Sequence, residues 1–229
     1  MYNSHEVHLV FEQLRAIDRR RSRVIDSVAA HFGRKKVADL LTQNNLQLPL
    51  FSEDPKFVDI IDEREPQEFI RFLAKKTEAY EAKTIKLLRE KISDYHPHVD
   101  EQILFGARTA GQDAARAFLT SSTAAEKRSR LPLTEAVQSI FHITYNGLPS
   151  DRGFILSIRP QSGITVHYRY SAHSEAWNEA GIDVAFMGKL REEWISGLLD
   201  ILSPNVFYHR AKAFELGDGY GFEEFALHS

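Results

Sequence analysis

The apolar period of this chain stays helical as far as Gly147 and first changes near Phe154, and that change limits the folds open to it. Up to Asn146-Gly147 every apolar segment has helical spacing, and strand-like segments appear only from Phe154 onward. Apolar residues three and four apart build one face of a helix, whereas alternate residues build one face of a strand, so a segment patterned for one does not settle as the other.

Val7, Val10, Phe11, Leu14 and Ile17, extended by Val24, Ile25 and Val28, make one apolar stripe and predict a helix over residues 4–31, with Gly33 as its stop. Val37, Leu40 and Leu41 suggest a short second helix, and Asn44 to Pro55 reads as a loop. Pro66 suits a first helical turn, where its missing N–H costs nothing. The amphipathic run after it, Phe69 to Ile92, predicts a long helix ending near Tyr95-His96-Pro97. Residues 98–120 read as another helix, in which Gly106, Ala110, Gly111 and Ala114 permit close approach of a second backbone. A polar linker, Ser121 to Arg130, separates it from a helix over 132–145.

Beyond the change, Phe154 to Arg159 and Ile164 to Tyr170 read as strands around a turn at Pro160-Gln161-Ser162-Gly163. Val184 to Leu202 reads as a helix. Val206 to Phe214 and Tyr220 to Leu227 read as strands around the hairpin signal Gly217-Asp218-Gly219. The expected class is α+β: a helical N-terminal half followed by a four-stranded antiparallel sheet, two hairpins joined by a helix, packed on helices. The division expected is a helical dimerisation or partner region over 1–96 and an α+β ligand-binding domain over 97–229.

Composition narrows the function classes. At 229 residues, 43% hydrophobic and 27% charged, the chain supports a proper core. A net charge of -3 offers no electrostatic case for nucleic acid or an anionic membrane. The basic clusters Arg19-Arg20-Arg21 with Arg23, and Arg34-Lys35-Lys36, read as solvated helical faces. With no cysteine, thiolate metal sites and Cys nucleophiles are excluded. No segment has the apolar length of a membrane span, and the start MYNSHEVHLVFEQL has no signal-like apolar run, so the expected location is cytoplasmic. The pairs His5/His8 and His96/His98, with His167 and His173, read as scattered rather than metal-binding. No G-x-S-x-G elbow, P-loop, Rossmann fingerprint or kinase motif is present, so no catalytic residues are assigned.

The order of elements, with LFGARTAGQDAARAFL (Gly106, Gly111), FMGKLREEWISGLL (Gly188, Gly197) and FELGDGYGFEEFAL, resembles the vinyl-reductase-like domain family over roughly residues 100–227. Relatives of that family include haem–nitric-oxide-binding domains and TRAPP-type trafficking subunits. The resemblance implies both helices on one side of the sheet and a ligand between them. Many members carry metal-binding cysteines in the last hairpin, and their absence here removes that metal site from what is carried over. In the haem-binding relatives a histidine on the helix before the first hairpin ligates iron, and His142 in SIFHITYNG stands at the comparable place. Their strand motif of tyrosine, serine and arginine is only partly matched by Val166-His167-Tyr168-Arg169-Tyr170-Ser171-Ala172. Arg169 falls on the face opposite Tyr168.

Three functions follow as expectations. The first is a ligand-responsive sensory or regulatory protein, acting as a homodimer through helices 4–31 and 66–95 and holding a small apolar or aromatic molecule. Its pocket is expected to be lined by His142, Tyr145, Tyr168, Tyr170, Phe186 and Trp194, with a signalling protein as a further partner. The second is a haem-based gas sensor with His142 as axial ligand. The third is a protein–protein adaptor without a small ligand. Under each, His142 and the aromatic residues also have an ordinary role as core or boundary side chains.

Overall fold

Helix α1 (Ser4–Phe32) forms along the expected stripe, and Val7, Val10, Phe11, Leu14, Ile17, Val24 and Val28 are all buried. The computed structural model describes residues 4–47, 49–51, 66–92, 98–121, 130–159, 163–212 and 221–227. The expected helix stop at Tyr95–Pro97, most of the 121–130 linker, the latter part of the 44–55 loop and the turns at 160–162 and 217–219 lie outside them. Gly33 separates α1 from α2 (Arg34–Gln43). Helices α3 (Pro66–Ile92), α4 (Val99–Ser121) and α5 (Leu133–Ile143) follow, then strands β1 (Phe154–Arg159) and β2 (Gly163–Tyr168).

Two helices connect the hairpins rather than one. The short helix α6 (Ser174–Ala180), which has no counterpart in the sequence reading, precedes α7 (Val184–Leu202). Asp183 caps α7, accepting a hydrogen bond from the Ala185 backbone N–H at 2.9 Å. Strands β3 (Val206–Lys212) and β4 (Gly221–Leu227) complete an antiparallel sheet of order β1-β2-β4-β3. Tyr168 stands opposite Phe154 on one side and Gly221 on the other, and Ile164 stands opposite Phe225. Pleating then turns Ile164, Val166, Tyr168, Val206, Tyr208, Glu223 and Phe225 toward the helices.

Three apolar clusters hold these layers. One gathers Val24, Val28, Leu41, Ile85, Leu88, Ile103, Trp177, Met187 and Leu190, from both sides of residue 96. The second lies between α5, α7 and the sheet, with Val137, Ile140, Val166, Trp194, Leu198 and Phe225. The third joins the start of α1 to Phe51, Ile70, Ala74, Tyr145 and Leu148. The stripes of α1 and α3, expected to seek a second copy, are thus largely covered within the chain, with Phe72 of α3 left exposed. No helix among the described residues is long and apolar enough to cross a membrane.

Helices α4 and α7 touch backbone to backbone. A Cβ on Gly111 would lie 2.2 Å from the Trp194 carbonyl oxygen, and one on Gly197 would lie 2.0 Å from the Arg108 carbonyl oxygen. Arg108 straps the contact from its flank, its guanidinium bonding the Asp200 carboxylate twice at 2.9 Å. Gly111→Ala or Gly197→Ala therefore forces two backbones apart. The expected cost is about 3 kcal/mol, at the upper end for overpacking. Calorimetry should then show the thermal midpoint falling by roughly 6–12 °C for a chain of this size. An unchanged midpoint in both variants contradicts the contact.

Candidate functional site

Arg191 and Glu223 are charged residues placed in apolar positions. Arg191 lies on α7 one turn from Met187 and Ile195, both buried, and Glu223 takes the inward phase of β4 shared with Phe225. Folding brings the two together in a buried ion pair, Arg191 Nη1 to Glu223 Oε1, with 6% and 5% of each residue exposed. Tyr168 donates its hydroxyl to Glu223 Oε2 at 2.8 Å. Arg191 also donates to Asn146 Oδ1 at 2.8 Å, to the Tyr208 hydroxyl at 3.2 Å and to the Tyr168 hydroxyl at 3.4 Å. Asn146 is itself fixed by donating to Thr144.

Charge and burial settle the protonation of this group. Burial works against the Arg191 cation, but the Glu223 carboxylate more than offsets it and holds the guanidinium pKa well above its usual value. Burial, reinforced by Glu223, pushes the Tyr168 and Tyr208 hydroxyls well up, so both remain neutral donors. One donor is left over: Arg191 Nε is buried with no hydrogen-bond partner among the described residues.

Arg191 lines a half-open cleft of about 30 Å³ together with Asn146, Tyr168, Tyr170, Ser171, His173, Arg210 and Glu223. That room suits one or two waters, or a polar group of similar size. The lining includes two guanidiniums and one carboxylate. An oxygen acceptor, and an anionic one above all, is the group such a lining would hold.

The cleft is tied to the helical half through His173. Its Nδ1 lies 2.9 Å from Glu78 Oε1 on α3, and Trp177 donates its indole N–H to Glu78 Oε2 at 2.9 Å. A carboxylate only accepts, so the Nδ1 carries the proton. The imidazole stacks on Trp177 at 5.0 Å. Burial alone would raise the Glu78 carboxyl, but His173 beside it holds it below the ordinary value of 4.5. One turn further along α3, Glu81 pairs with Arg20 of α1, whose Nε donates at 2.7 Å. There burial prevails, and the Glu81 carboxyl lies above its usual range. The Arg20 guanidinium covers the Trp194 ring at 4.3 Å.

The reading of the Arg19–Arg23 cluster as a solvated face holds for Arg19 and Arg23, which are exposed, and is corrected for Arg20 and Arg21. Arg20 is 3% and Arg21 2% exposed, and Arg21 is held by Asp18 and the Leu46 carbonyl. Their positions, three and four residues from Ile17 and Val24, put them in the buried phase of α1.

Of the six side chains expected around a ligand, Tyr168 and Tyr170 line the cleft. Tyr145 lies beside it, its ring 6.0 Å from that of His173. The other three lie elsewhere. Phe186 belongs to the first cluster, under the Arg89 guanidinium, and Trp194 to the second. Eight positions turn a helix by two turns and about 80°, which carries these two rings to different sides of α7. His142 is exposed and touches the Phe118 ring at 5.7 Å. Helix α5 ends at Ile143, so the spacing of His142 and Tyr145 does not align them on one face. These residues do not fit a haem: the imidazole of His142 faces solvent, and the Tyr168 hydroxyl is engaged by Glu223. Among the described residues no group of three or more His, Asp or Glu is placed to hold a metal ion.

Two stability predictions follow. Arg191→Met or Glu223→Gln leaves a buried group unpaired and should cost about 3–5 kcal/mol each in urea unfolding. The double variant Arg191→Met/Glu223→Gln should cost much less than the sum of the two single variants, and strict additivity contradicts the pairing. Glu78 has a folded pKa below its unfolded one. Its stabilisation is therefore complete above about pH 4.5 and is lost as pH falls through the lowered folded value. Glu78→Gln should be less stable at pH 7 and should flatten the acid limb of stability against pH. A wild-type slope in that limb contradicts the assignment.

Comparison with family models, with curated proteins and with solved structures finds no match to this chain, so its function is read from these residues alone.

Proposed function

We propose that the chain is a ligand-responsive regulatory protein whose C-terminal half holds a small aromatic molecule by one polar head group. The observation that carries this is that Arg191, whose buried Nε–H has no acceptor among the described residues, lines a cleft with room for a single small group. A buried donor without an acceptor costs about 1–3 kcal/mol, and a bound oxygen recovers it. The rings of Tyr168, Tyr170 and His173 on the same lining suit an aromatic body outside that head group.

Response requires two arrangements with different ligand affinity. His173 supplies the link, since it lines the cleft and bonds Glu78 on α3. Movement of His173 on occupancy would release or tighten Glu78 and Trp177, and so shift α6 against α3. In this reading the protein works in the cytoplasm as a homodimer and passes occupancy to a signalling partner.

Benzoate is the test probe, being the smallest molecule that joins an aromatic ring to a carboxylate. At a hundredfold excess over its Kd it should raise the thermal midpoint by roughly 5–10 °C. Arg191→Lys keeps a charge opposite Glu223 and removes the Nε donor, and should abolish the shift. Acetate, which has no ring, should act far more weakly. No shift in the wild type, or an equal shift in Arg191→Lys, overturns the reading.

A further inference from the structure

The two edges of the sheet are built differently. Edge strand β3 carries His209, Arg210 and Lys212, and its pairing with β4 is irregular between His209 and Lys212. Charge and irregular register are the ordinary means by which an edge is protected from further pairing. Edge strand β1 has no irregularity of register, and its one charge, Arg159, stands at its last residue. Its register with β2 is continuous from Phe154 to Arg159, and Gly153 to Ile158 contains no charge and no proline.

The unpaired side of β1 is regular as well. The Arg169 N–H donates to the Gly153 carbonyl at 2.7 Å, which fixes the alternation of the ladder. Gly153, Ile155, Ser157 and Arg159 direct their backbone groups to β2. Phe154, Leu156 and Ile158 direct theirs away from the sheet, where no strand among the described residues meets them. Apolar side chains are open on both faces: Ile155 is 50% exposed, Leu156 39% and Ile158 53%. Ile158 also borders an apolar groove of about 380 Å³ formed with Leu131, Pro132 and Leu227.

We propose that β1 pairs antiparallel, about a twofold axis, with β1 of a second copy of this chain, giving one sheet of four strands from each copy. The occupant must be a strand that is uncharged and mainly apolar along the five paired positions, and residues 154–158 of β1 itself meet that description. With Leu156 on the axis, Phe154 meets Ile158 of the other copy and the reverse, so every outward N–H and C=O from 154 to 158 finds a partner. On the helix side, leucine lies against leucine and phenylalanine against isoleucine, and Ile155 faces Ser157 on the open side. This interface is isologous and closes after two copies. It is independent of whether the cleft binds a ligand, and it uses neither α1 nor α3.

The absence of cysteine makes the register directly testable. Opposed residues of a hydrogen-bonded pair have Cα atoms about 5.5 Å apart, within disulfide reach. Leu156→Cys should form a disulfide-linked dimer under mild oxidation, at least about tenfold faster than Ser157→Cys, whose opposite number is Ile155. The exposed control Phe72→Cys on α3 should be equally slow. Light scattering at about 100 µM, a concentration that populates contacts of modest affinity, should give twice the monomer mass. Leu156→Lys should give a monomer with an unchanged far-ultraviolet circular dichroism spectrum. A monomeric wild type, a dimer that persists in Leu156→Lys, or cross-linking at 156 no faster than at 72 overturns the proposal.

Discussion

The contact of α7 with α4 through Gly111 and Gly197 governs the position of most of what matters in this molecule. Both helices give up side chains at the crossing, so their backbones meet directly. That fixes the depth of α7 between the helical layer and the sheet. From this position it supplies Met187 and Leu190 to one apolar cluster, Trp194 and Leu198 to another, and Arg191 to the polar group beneath β2, β3 and β4. A wider spacing between α4 and α7 would press Arg191 into the sheet and break its register with Glu223.

Burial of charge is the second constraint, and it follows from the first. Arg191 with Glu223, His173 with Glu78 and Arg20 with Glu81 lie in a line from the cleft to α1. Such pairs add little net stability, because desolvation takes back most of their attraction. A displaced helix or a strand slipped by one residue would nevertheless strand one member of each pair, at several kcal/mol apiece. The pairs therefore penalise arrangements in which α1, α3, α6, α7 and β4 are out of register with one another.

The elements were largely legible because period and punctuation agree in this sequence. Val184–Leu202 and Phe154–Arg159 occur with the limits expected from their apolar runs, and the antiparallel sheet follows from its turn signals. The small-residue run in α4 foretold a close backbone contact, and Gly111 makes one. Helix α6 escaped notice because seven residues are too few to display a helical period, and what holds it is the Trp177 bond to a distant Glu78. The polar cluster escaped for a different reason. Arg20, Arg21, Glu78, Glu81, Arg191 and Glu223 each occupy the apolar phase of their element, a signal that was present in the sequence. Pairing across 32 residues, as between Arg191 and Glu223, depends on the fold and has no local trace.

The proposed function rests on the buried Arg191 Nε–H, which has no acceptor among the described residues, serving as a donor to a bound ligand. Nitrogen-15 NMR of the arginine Nε–H groups addresses it directly. Buried from solvent, the Arg191 resonance should exchange slowly with water and should move on addition of benzoate. The Arg20 Nε–H, already bonded to Glu81, should stay in place. An Arg191 Nε–H that exchanges as fast as those of surface arginines, or that ignores benzoate at millimolar concentration, would contradict the account.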